Sequence, residues 1–68
     1  MRKYKPETSW KIEDNLVYNL RQDGWRKGKP IMVNDIAISI EARHLSSEFR
    51  ADIANTIATA LNMKYFLE

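Results

Sequence analysis

Sixty-eight residues, 44% hydrophobic and 29% charged with a formal net charge of +2, describe a single small domain. With no cysteine and one histidine, disulfide staples, zinc–thiolate sites and multi-histidine metal sites are excluded. A core of this size buries only about 60% of the surface its unfolded chain exposes, so each element has to contribute.

The chain opens on a basic segment carrying Arg2, Lys3 and Lys5. Residues 1–8 are expected to form a flexible tail. No apolar run of secretory length follows them, and no stretch approaches the ~18 apolar residues of a membrane span. Together with the lack of cysteine, this predicts a cytoplasmic protein without membrane contact. The terminal Leu67-Glu68 (residues 67–68) has the look of a tag-derived scar.

Trp10 and Ile12 alternate around Lys11 and are followed by the turn-like Glu13-Asp14-Asn15. Leu16, Tyr18 and Leu20 alternate with Val17, Asn19 and Arg21, the period of a half-buried strand. Asp23-Gly24 is a turn signal, and Gly28 and Pro30 interrupt the pattern, so a loop is expected over roughly 23–30. Ile31-Met-Val-Asn-Asp-Ile-Ala-Ile-Ser-Ile40 poses a parity problem. In a continuous strand Ile31 and Val33 lie on one face and Ile36, Ile38 and Ile40 on the other. A hairpin turn at 34–35 (Asn34-Asp35) places all five on one face.

From Ser46 the period changes to 3.6 residues. Phe49, Ile53, Ile57, Ala60 and Leu61 form the apolar stripe of a helix over about 46–63, with Ser46 as N-cap and Glu48 in the first turn. Ala51, Ala54 and Ala58 widen the stripe. The order predicts an α+β fold: a small antiparallel β-sheet of three to four strands, covered on one face by a single C-terminal α-helix.

The charge is patterned. Residues 1–11 carry +3, from Arg2, Lys3, Lys5 and Lys11 against Glu7. Residues 21–29 carry +3, from Arg21, Arg26, Lys27 and Lys29 against Asp23. Residues 12–20 and 30–42 carry −2 each, and the rest balances.

No catalytic residue, cofactor site or metal site is expected. His44 beside Ser46 and Ser47 lacks an orienting third group and fits the strand-to-helix connection. Glu13 and Asp14 read as a solvated turn, and the two glycines make no phosphate loop. Two binding surfaces stand out. The first is the basic loop 21–29, where Arg21, Arg26, Lys27 and Lys29 surround Trp25, helped by Arg2, Lys3 and Lys5 in the tail. Cations attract phosphate, and an exposed indole stacks on bases. The alternative is a solvated loop whose Trp25 folds back into the core, the commoner fate of tryptophan. The second surface is the edge made by Ala51, Ala54, Ala58 and Tyr65, a candidate homodimer seam, against which stands simple packing of the helix on the sheet.

Val17-Tyr18-Asn-Leu20-Arg-Gln-Asp23-Gly24-Trp25, followed by a hairpin and a C-terminal helix, resembles the short orphan proteins of the early regions of lambda-like temperate phages and prophages. That resemblance implies a source more than a mechanism. The element order is also similar to the arm-binding domain of tyrosine recombinases, which sets a three-stranded sheet in the DNA major groove. This hairpin departs from it, because its second face offers only Met32, Ala37 and Ser39. The sequence therefore predicts a non-enzymatic accessory protein of phage type, acting as a protein-interaction module through the exposed sheet face or helix edge. The second reading is a nucleic-acid binder.

Overall fold

The computed structural model describes residues 3–66. It is an α+β fold: three antiparallel strands in the order β1-β2-β3, then one helix. The strands are β1 (Lys11–Glu13), β2 (Leu16–Arg26) and β3 (Lys29–Ser39). Helix α1 spans Ser47–Leu61 and ends in a π-helical turn, Asn62–Phe66.

Short turns join the strands. Glu13 pairs with Leu16 across Asp14-Asn15, with Asp14 at φ 54°. Arg26 pairs with Lys29 across Lys27-Gly28, and both turn residues have positive φ, 51° and 76°. Positive φ at both centres is the signature of the tight hairpin turn whose twist matches its strands. The expected loop over 23–30 is therefore the end of one strand, a two-residue turn and the start of the next. Gly24, at φ 92°, sits where Asp23 and Gly24 together stand opposite Ile31, so the Asp23-Gly24 signal marks a bulge rather than a chain reversal.

The hairpin turn expected at 34–35 is not there: β3 runs straight through Asn34 and Asp35. The parity problem is solved by a bulge instead. Leu20 pairs with Asn34 and Asn19 with Ile36, leaving Asp35 as an extra residue in β3. One extra residue inverts the alternation. Val33, Ile36 and Ile38 consequently oppose Arg21, Asn19 and Val17, every second residue of β2. The branched side chains share the helix-side face as required, by a different device.

Helix α1 crosses that face. Ser46 caps it, its hydroxyl accepting from the Phe49 N–H at 3.1 Å. The face it buries is rotated from the expected stripe. Ala54 and Ala58 are buried, Ile53, Ile57 and Leu61 are half-buried, and Phe49 is 55% exposed. The reason is Trp10, 4% exposed, which clusters with Val17, Ala54 and Ala58. An indole between helix and sheet leaves room only for small residues opposite it. Ala54 and Ala58 are thus core residues and do not form a seam between copies. Ala51 is half-buried beside them, and Tyr65 packs on the same cluster.

The helix is pinned at its far end. Asn62 donates from Nδ2 to the Trp10 carbonyl at 3.1 Å and accepts from the Trp10 N–H at 2.7 Å, standing in for a neighbouring strand.

Candidate nucleic-acid interface

The helix approaches β1 and β2 but leaves the distal β2–β3 ribbon bare. Every residue from Gln22 to Met32 is exposed. The radius of gyration, 13.9 Å, exceeds the ~11 Å of a compact chain of this length, and the long axis is 43 Å. The excess is this projecting ribbon.

The pairing register sorts its side chains. Trp25 pairs with Pro30 on the outer face, in line with Met32 and Gln22. Arg26 pairs with Lys29 on the helix-side face, in line with Arg21 and Val33. Lys27 occupies the turn. Trp25 is 68% exposed, so it is not the core anchor; Trp10 takes that place. Arg21 is engaged by two carboxylates, Asp23 at 3.4 Å and Asp35 at 3.6 Å. These are the ion pairs among the described residues, so Arg26, Lys27 and Lys29 present uncompensated charge at the turn and on the face opposite the indole. Of the expected basic group, Arg21 is a tether and the other three are available. Arg2 lies outside the described residues, as do the tag-like residues 67–68.

Lys3 and Lys5 do not belong to a free tail. Pro6 is buried, and the segment is laced to β2. Thr8 Oγ1 accepts from the Leu20 N–H at 2.8 Å and donates to the Leu20 carbonyl at 3.1 Å. Glu7 accepts from the Gln22 N–H at 3.2 Å. These contacts satisfy the edge of β2 beyond the short β1, where unpaired N–H groups would otherwise remain.

Tyr4 completes the anchor. Its hydroxyl donates to Asp35 and accepts from Asn19 Nδ2 at 3.0 Å, while Asn19 Oδ1 accepts from the Ile36 N–H at 2.9 Å. The Tyr4 ring lies edge-on to Trp10 and to Tyr65, with centroids 6.1 and 5.8 Å apart. Partial burial pushes the Tyr4 hydroxyl above its ordinary pKa of 10.0, and the bond to Asp35 adds to the rise. A raised folded pKa means that the anchor is intact below pH 10 and weakens as pH climbs toward the folded value. Spectrophotometric titration should find a late component, a tyrosine ionising above the ordinary value of 10.0. Tyr4→Phe should remove that late component.

His44, Ser46 and Ser47 are exposed on the strand-to-helix connection, with Ser46 committed to the cap. Among the described residues no group of three or more metal-ligating side chains gathers, and no helix is long and apolar enough to cross a membrane. Compared with family models, curated proteins and solved structures, the chain matches none.

Proposed function

We propose that this protein binds single-stranded nucleic acid through the β2–β3 ribbon, in keeping with an accessory role of the temperate-phage kind that Val17-Tyr18 and Gly24-Trp25 suggest. The observation that carries the reading is Trp25, 68% exposed on one face of a projecting ribbon whose turn and opposite face carry three cations without ion pairs among the described residues. An indole kept in water costs hydrophobic free energy in a chain with little core to spare. That cost is recovered when a base stacks on it, worth about 1–3 kcal/mol by alanine substitution. Arg26 and Lys29 on the opposite face, with Lys27 at the turn, are placed for the flanking phosphates. A lone two-stranded ribbon is marginally stable in water, so binding would also order it.

The test uses intrinsic fluorescence, because the chain holds one buried and one exposed tryptophan. A single-stranded oligonucleotide should quench the red, Trp25 part of the emission. Affinity should fall with salt with a log–log slope of about −2, as expected for three phosphates on a single strand. Arg26→Glu with Lys27→Glu should abolish binding while the melting curve is unchanged. Absence of quenching at low salt defeats the proposal.

A second reading rests on β3. Among the described residues it has no strand neighbour on its outer edge, and Ile31, Met32 and Ile38 on it are exposed. Such an edge accepts a partner strand. On this reading the protein is an interaction module for another protein or a second copy. Pro30 and the Asp35 bulge blunt the edge, which weighs against it. Sedimentation at high micromolar concentration giving about twice 8.0 kDa would favour self-pairing.

A further inference from the structure

Folding the amino-terminal segment back onto the sheet creates a second cationic site. A cavity of about 290 Å³ is lined by Lys3, Tyr4, Lys5, Lys64 and Tyr65. Its residues come from opposite ends of the chain, which is why no local run of sequence announces it. No carboxylate lines it among the described residues. Of the two acids that act on Tyr4, Asp35 is engaged by the Tyr4 hydroxyl and Arg21, and Glu7 accepts from the Gln22 N–H.

The walls are aromatic and held in place. Tyr4 is fixed by its bonds to Asp35 and Asn19. Tyr65 is wedged against Tyr4 and against Trp10, both at 5.8 Å. Lys64 Nζ stands 5.3 Å from the Tyr65 ring centre, a cation–π contact that orients the ammonium without neutralising it. Three like charges around one concavity repel each other and focus a positive potential into it. An anion relieves that repulsion, and one carrying a flat ring also uses the tyrosine faces. The larger depression of about 470 Å³ beside the start of α1 lacks this character, because Asp14 and Glu48 line it with Arg50.

We infer that the Lys3/Lys5/Lys64 cavity binds a nucleotide phosphate, with the attached base or sugar against Tyr65. That phosphate comes either from a free mononucleotide or from the strand held by the ribbon, and the second source rests on the proposed function. The cavity and the ribbon are linked through Tyr4, Asp35 and Arg21.

The test is a backbone-amide NMR titration of the full chain with adenosine monophosphate, and separately with a short single-stranded oligonucleotide. Adenosine monophosphate should shift Lys5, Lys64 and Tyr65 and leave residues 24–29 unmoved. The oligonucleotide should shift both groups. Lys5→Gln with Lys64→Gln, both at exposed positions, should erase the mononucleotide shifts and weaken oligonucleotide binding about tenfold, consistent with the loss of two phosphate contacts. Shifts by the mononucleotide alone would support the site, assign it to free nucleotide and count against the ribbon. Ribbon shifts with a silent cavity, in both titrations, would overturn this inference and leave the ribbon proposal standing. Silence everywhere would overturn both.

Discussion

Trp10→Ala is expected to leave the chain largely unfolded at 25 °C. Among the described residues Trp10 is the largest side chain in the buried cluster; its buried partners Val17, Ala54 and Ala58 are small, and Ile36, Ile40, Ile57, Leu61 and Tyr65 pack around them half-buried. Truncating a buried tryptophan costs about 3–5 kcal/mol. A domain of this size has a total stability of only about 3–10 kcal/mol, at roughly 0.05–0.15 kcal/mol per residue. The alanines facing the indole cannot close over the hole, because their side chains end at Cβ. Trp10 also organises both chain ends, through the Tyr4 and Tyr65 rings. Trp10→Phe should be far milder. The indole Nε1 is buried with no hydrogen-bond partner among the described residues, so phenylalanine gives up volume but no polar contact. Urea titration followed by circular dichroism reads both variants. A Trp10→Ala protein unfolding cooperatively at nearly the parent's urea midpoint would show that the core lies elsewhere.

The α+β class and the helix cap could be read from residue order alone, since the switch from period 2 to period 3.6 at Ser46 is local information, as is a serine three residues before an amide it can cap. Parity in Ile31–Ile40 was a sound clue with two solutions. A turn and a bulge both invert alternation, and only the partner strand distinguishes them. Here β2 supplies pairing residues all the way to Arg26, which makes β3 continuous. The real turn was obscured because Lys27, rather than Asn or Asp, takes the first positive φ, with Gly28 alone signalling it. The sequence pattern sets Trp10 beside a strand and Trp25 in a loop, and neither setting says which indole lies under the helix. The cavity at Lys64 and Tyr65 joins residues more than fifty positions apart in the chain, a separation no motif spans.

Asn19 is where folding and the candidate sites meet, and Asn19→Leu should be the second most damaging single change. Its side chain is fully buried, with Oδ1 on the Ile36 N–H and Nδ2 on the Tyr4 hydroxyl. A bulge leaves backbone groups without ladder partners, and at Ile36 the asparagine amide takes the place of the ladder. Leucine matches the volume but strands that N–H in the interior, at about 1–3 kcal/mol. The bulge then loses its reason to sit at Asp35. Without it β3 is free to slip by one residue, which would turn the half-buried Val33 away from the helix-side face. Hydrogen exchange gives the most direct reading: the Ile36 amide should exchange far faster in Asn19→Leu, and resonances of residues 29–35 should broaden or double. Tyr4→Phe separates the two halves of the network, since it keeps the Ile36 bond and removes only the anchor of the amino-terminal segment. It should spare Ile36 protection yet weaken mononucleotide binding at the Lys3/Lys5/Lys64 cavity, whose tyrosine wall would lose its fixing bonds. An Ile36 amide equally protected in parent and Asn19→Leu would mean that the strand ladder itself holds the bulge. The single-face arrangement of the isoleucines would then owe nothing to the buried amide.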